Sequence, residues 1–172
     1  METHDEMWFC ERLQQFLRER HPQRSIHTGA IDRRSRLAAE SYAAGMMCSD
    51  NPTQALRDAD RILFRGLLFS PYDVVHLILE TDFPAIPENK RRDVALRLLP
   101  VCRPVFLIYN LGDDFAEKQE FKELKADLRT CICFWIDENG VPGYQSGARE
   151  PKAEPHVPYS RQPKYKKHKR QR

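Results

Sequence analysis

The chain has 172 residues, 41% of them hydrophobic and 31% charged, with a formal net charge of +3. That length suits about one domain and excludes a large multidomain enzyme, and the apolar share excludes wholesale disorder. The charge is divided: residues 1–140 hold 19 Lys and Arg against 23 Asp and Glu, whereas 141–172 hold nine against Glu150 and Glu154 alone.

Phe9, Leu13, Phe16 and Leu17 recur at helical spacing and predict a first helix over 5–20, closed by His21-Pro22. Ile31, Ala38, Tyr42 and Met46 predict a second over 28–47, with small alanines that permit close approach. Asn51-Pro52 reads as a cap followed by a first-turn proline, and opens a third helix with Ala55, Ala59, Ile62 and Leu63 inward. A fourth starts at Ser70-Pro71-Tyr72-Asp73 and buries Val74, Val75, Ile78 and Leu79 until Pro84 and Pro87 end it. The fifth begins near Glu88 with Val94, Ala95, Leu98 and Leu99 inward, and Pro100 and Pro104 are expected to break or kink the chain beyond Leu99. Val105–Tyr109 fits a buried strand or a short core helix; with no partner strand in view, helix is favoured. The last helix, from about Ala116 to Glu138, aligns Phe121, Leu124, Leu128, Ile132 and Trp135, and Asn139-Gly140 stops it. The fold class expected is therefore all-α: one domain of about six helices over 5–140, then a Pro-rich basic tail over 141–172 that cannot build a core.

No apolar run approaches the ~20 residues that cross a bilayer, so no membrane span is expected. The opening Met-Glu-Thr-His-Asp-Glu is unlike an export signal, and five cysteines among apolar neighbours suit reduced thiols in the cytoplasm. Cys131-x-Cys133 invites a metal reading, but residues two apart on a helix point about 200° from each other. Core thiols are the plainer reading. His76 stands three residues after Asp73 and could form a surface carboxylate–imidazole pair. Asp113 and Asp114 precede the last helix, where capping is preferred over divalent-cation binding or acid/base work. Trp8 and Trp135 are expected in the core. Glycine-rich phosphate loops and nucleophile elbows are absent from the sequence, which nominates no catalytic residue, no metal and no cofactor.

The tail carries the strongest functional signal. Arg161, Lys164, Lys166, Lys167, Lys169, Arg170 and Arg172 crowd twelve residues and are interleaved with Tyr165 and His168, just after Tyr159. Cations for phosphates and rings for stacking suit DNA or RNA, while an acidic partner, a membrane surface or simple solubility would suit the same run.

Three body segments, Gly66-Leu67-Leu68-Phe69-Ser70-Pro71-Tyr72-Asp73, Leu98 to Phe106, and Leu111-Gly112-Asp113-Asp114-Phe115-Ala116, resemble an uncharacterised family of small helical proteins from Bacteroidetes. The resemblance spans roughly residues 8–140 and implies an all-α fold with no assigned activity, often encoded on conjugative transposons near DNA-processing genes. Pro71 stands where a basic residue is expected, and the stretch after Gly140 looks like an extension, so a function of the tail would belong to this chain and not to the family. The sequence reading is a non-enzymatic accessory or binding protein whose tail contacts nucleic acid without sequence preference. A helical protein–protein adaptor or homo-oligomer is the alternative, and a metal-assisted hydrolase using Asp73, His76, Asp113 and Asp114 is a minor third.

Overall fold

The computed structural model describes residues 4–48 and 51–141. Among these the architecture is all-helical, with six α-helices: α1 (Glu6–Arg20), α2 (Thr28–Cys48), α3 (Pro52–Leu63), α4 (Pro71–Asp82), α5 (Glu88–Phe106) and α6 (Glu120–Asn139). The helix starts reflect local chemistry. Asp5 Oδ1 accepts from Trp8 N at 2.9 Å, Asn51 Oδ1 from Gln54 N at 3.1 Å, and Ser70 Oγ from Asp73 N at 3.0 Å, each satisfying an otherwise orphaned first-turn donor. Pro52 and Pro71 occupy first-turn positions where the missing N–H costs nothing. Gly140 closes α6 with φ +66°, a backbone region that side chains resist, and its N–H reaches Ile136 O at 2.8 Å.

Most of the predicted stripe residues are buried or half-buried, Ile62 being the exception, but they build two separate clusters. Phe9, Leu13, Leu17, Ala38, Tyr42, Ala55, Ala59 and Leu63 join α1, α2 and α3, with Phe64 and Leu67 beyond α3. The larger cluster joins Val75, Ile78 and Leu79 of α4, Ala95, Leu98 and Cys102 of α5, and Leu124, Leu128 and Ile132 of α6. Within the first half, α2 and α3 approach so closely that a Cβ on Gly45 would lie 2.8 Å from Ala55 Cβ. Trp8 and Trp135 are half-buried at the margins of their clusters, not inside them.

Three local details differ from expectation: a break at the prolines, the extent of the helix favoured for 105–109, and the start of the last helix. The fifth helix runs through both prolines to Phe106. Pro100 has no N–H for Leu96 O, and Gln23 Nε2, from beyond the end of α1, donates to that freed carbonyl at 2.6 Å. Of Val105–Tyr109, only Val105 and Phe106 are helical, and the chain then turns. The last helix starts at Glu120 instead of Ala116, because Phe115–Glu117 winds as a separate 3₁₀ turn.

The two halves meet through polar groups gathered on the backbone linking α3 to α4. Arg34 Nη1 donates to Leu63 O at 3.2 Å and to Arg65 O at 2.7 Å, covering carbonyls that the end of α3 leaves free. His21 Nε2 bonds Leu67 O at 2.8 Å, Arg20 Nη2 bonds Leu68 O at 3.2 Å, and Ser70 Oγ donates back to Arg20 O. Arg20 Nε also pairs with Asp73 Oδ2 at 2.5 Å. This short segment thus has its backbone polar groups held from α1, from α2 and, through Asp113, from the loop before α6.

Candidate functional site: an arginine-lined groove

A groove of about 620 Å³ lies along α2, α3 and the linker after α3, lined by Arg33, Arg34, Leu37, Asp60, Arg61, Ile62, Phe64, Arg65, Leu68 and Asp113. Helical spacing explains the cast. Arg33 and Leu37 are four apart on α2 and share a face, whereas Arg61 stands in the last turn of α3 and Arg65 in the turn that follows it. Leu37, Ile62 and Leu68 are 47%, 37% and 47% exposed, which leaves an aliphatic floor open to solvent. Of the four guanidinium groups, Arg34 is occupied by the carbonyls of Leu63 and Arg65. Arg61 touches Asp58 at 2.9 Å in a largely solvated pair. Arg33 and Arg65 are exposed, and their guanidinium groups form no ion pair among the described residues.

The two carboxylates of the groove are already engaged. Asp60 Oδ2 pairs with Arg12 Nη2 at 2.8 Å, and the Arg12 guanidinium lies 5.2 Å from the Trp8 ring and 5.7 Å from that of Phe64. Asp113 takes two backbone donors, Gly66 N at 2.7 Å and Leu68 N at 2.9 Å. Gly66 has φ +73°, the left-handed conformation that turns both N–H groups toward one carboxylate. The groove therefore presents more cation than anion to anything that enters it, over an apolar floor.

Comparison with known proteins places this helical body. The description "Domain of unknown function (DUF1896)" matches residues 2–141. The chain belongs to this family. The crystal structure of protein PG0816 from Porphyromonas gingivalis is similar at a TM-score of 0.71 and 29% identity, over 81% of this chain and 96% of that one. No curated protein matches. Two of the segments that carry the resemblance are bonded to each other: Asp113 of Leu111–Ala116 holds the backbone of Gly66 and Leu68 in Gly66–Asp73.

In this DUF1896 chain the residues considered from sequence are dispersed among structural tasks. Asp73 pairs with Arg20 and not with His76, whose ring instead lies 5.8 Å from that of Tyr72. The capping expectation for Asp113 and Asp114 is corrected. Asp113 spans 45 or more residues to clamp the linker, while Asp114 precedes the 3₁₀ turn without a side-chain cap and pairs with Lys118 at 3.1 Å. Asp73 and His76 line a cleft with Glu80, and Asp113 lines the groove, so the four hydrolase candidates do not converge. Among the described residues no three metal-ligating side chains cluster. All five cysteines are thiols. Burial and the neighbouring Cys131 thiol push Cys102 up to about 12, and Cys131 and Cys133 pack beside the larger core. No described helix is long and apolar enough to cross a membrane. Arg161, Lys164, Lys166, Lys167, Lys169, Arg170 and Arg172 lie outside the described residues.

The groove itself went unread in the sequence. Ile62 is assigned to the core by its spacing, yet it lies at the edge of the α3 stripe beside Leu63, the residue that is fully buried. The signal that could have found it was Arg61-Ile62 at the end of α3 followed by Arg65 just beyond it, an aliphatic residue at the edge of the buried stripe with arginines close on both sides in sequence.

Proposed function

We propose that this protein is a non-enzymatic accessory protein that holds nucleic acid through its basic C-terminal segment, with the helical body as its folded anchor. The observation that carries this reading is the division of charge. Seven Lys and Arg lie between Arg161 and Arg172, while the body before residue 141 has a slight excess of carboxylates. Side chains such as Asp60, Asp73 and Asp113 are engaged in structural contacts, which supports a binding role over acid/base chemistry. The setting implied by the family resemblance, beside DNA-processing genes of conjugative transposons, fits this reading, as does a cytoplasmic location for a chain with five thiols.

The recognition expected is electrostatic and blind to sequence, because it depends on phosphate contacts and not on base edges. If about five of the seven charges engage duplex DNA, log K falls against log salt with a slope near −4.5, a loss of roughly 500-fold between 50 and 200 mM. Fluorescence anisotropy over a salt series, on the full chain and on a chain lacking residues 158–172, tests this. Equal affinity with and without that segment, or a flat salt dependence, refutes it.

A further inference from the structure

We infer that the α2–α3 groove is a docking site for an acidic amphipathic segment of a partner protein, which seats its aliphatic side chains on Leu37, Ile62 and Leu68 and its carboxylates against Arg33, Arg61 and Arg65. This goes beyond the tail reading and stands on a different part of the molecule, so either can fail alone.

Charge complementarity selects the occupant. Among the described residues Arg33 and Arg65 pair with no carboxylate, and Arg61 is held by a solvated contact with Asp58 that a better-placed carboxylate can replace. Guanidinium groups on both walls favour carboxylates, which they can grip in pairs of parallel hydrogen bonds. The floor adds what a phosphate backbone cannot use. Three aliphatic side chains more than one-third exposed gain nothing from a phosphodiester and gain burial from a Leu or Ile side chain. Asp60 and Asp113 in the same walls also disfavour a continuous polyanion, whereas a peptide can set an uncharged residue opposite each. The chain's own C-terminal segment is the wrong occupant by sign, since it would bring further Lys and Arg to an arginine-lined wall. Apolar anchors at i, i+3, i+4 and i+7 flanked by Glu and Asp match such a groove with a single helix face.

The test uses the full chain and a fluorescent synthetic peptide of about 18 residues with Leu at those positions and Glu elsewhere on the helix, beside two altered peptides, Glu→Gln and Leu→Ser. The acidic peptide should bind and each altered peptide should lose about tenfold or more in affinity. Arg33→Glu with Arg65→Glu should abolish binding of the acidic peptide. Leu68→Ser should weaken it while leaving a 20-base-pair DNA duplex bound as before. All three substitutions are at exposed positions, and circular dichroism melts of the variants should stay at the wild-type midpoint. Removing residues 158–172 should leave peptide binding intact. The inference is overturned if the acidic peptide does not bind, if the Leu→Ser peptide binds equally well, or if Arg33→Glu with Arg65→Glu removes duplex binding, which would make the groove a nucleic-acid site. Self-association of the chain that the same double variant abolishes would assign the groove to a second copy, and would overturn it too.

Discussion

Asp113 and Asp114 are neighbours of the same chemical type, and the structure gives them unequal work. Asp113 accepts from Gly66 N at 2.7 Å and Leu68 N at 2.9 Å, two charge-assisted bonds across 45 or more residues. Each such bond is worth about 1.5–3 kcal/mol when shielded, and water reaches this site, so we expect roughly 1.5–3 kcal/mol in total from Asp113→Ala. Asp114 meets Lys118 in an exposed i,i+4 pair that is worth about 0–0.5 kcal/mol. Since 1 kcal/mol shifts the midpoint of a domain this size by about 2–4 °C, Asp113→Ala should melt about 3–12 °C lower and Asp114→Ala within about 2 °C of wild type. Asp113→Asn should fall between Asp113→Ala and wild type, because its Oδ1 still accepts one of the two N–H groups while its Nδ2 turns a donor toward the other. Paired scanning calorimetry and urea unfolding measure the difference, and hydrogen exchange at the Gly66 and Leu68 amides should accelerate in Asp113→Ala alone. Equal small effects at both positions would refute the clamp. A rise in midpoint with millimolar Mg²⁺ or Ca²⁺ that either substitution abolishes would replace the clamp with a metal site.

Gly45→Ala would bring a Cβ within 2.8 Å of Ala55 Cβ and 3.1 Å of its Cα. We expect a net loss of about 1–2 kcal/mol after the gain in helix propensity, and recovery in the double variant with Ala55→Gly, both read from denaturant midpoints. Burial holds the His21 imidazole below its usual 6.5, and the nearby Arg24 and Arg20 act in the same direction, while the Leu67 carbonyl and Asp73 oppose them. The unfolded chain therefore takes up this proton first as pH falls. Stability should be full above pH 6.5 and decline below it, and His21→Gln should flatten that decline in unfolding curves measured between pH 7.5 and 5.5. Gln23→Ala should cost about 0.5–1 kcal/mol in the native chain and nothing in a Pro100→Ala background, where an N–H is restored to Leu96 O. Equal costs in both backgrounds would show that Gln23 acts elsewhere.

The helices were legible because their signals are local. Ser70 caps the N–H of Asp73 three residues on; Asn51-Pro52 and Gly140 punctuate the chain within a residue or two of where it starts and stops. What could not be read depends on partners far along the chain. Pro100 looks like a break because the donor that satisfies Leu96 O comes from Gln23, 73 residues earlier. Asp113 looks like a cap because Gly66 and Leu68 are nowhere near it in sequence. A stripe such as Leu124–Leu128–Ile132 says which face is buried but not against which helix, so the division into two clusters could not be foreseen. The groove was hidden for a related reason: Arg33 and Arg65 come to line one cleft only once α2 and α3 are packed at the Gly45–Ala55 contact.

The seam between the halves has a dynamic consequence. The two hydrophobic clusters share no buried side chain, and the groups that join the halves include Arg20, Asp73 and Asp113, whose contacts water can replace. Opening the seam breaks contacts that are largely polar, some solvated and some, such as His21 to Leu67 O, buried, and leaves each cluster packed within itself. Two clusters packed within themselves should behave as two cooperative units, and hydrogen exchange at the amides of Phe64–Ser70 should run ahead of that in mid-α2 or mid-α5. Arg65 and Leu68 lie in that linker and also line the groove. The groove thus draws one wall partly from the seam and the other from α2, so what binds in the cleft also touches the segment that ties the two halves together.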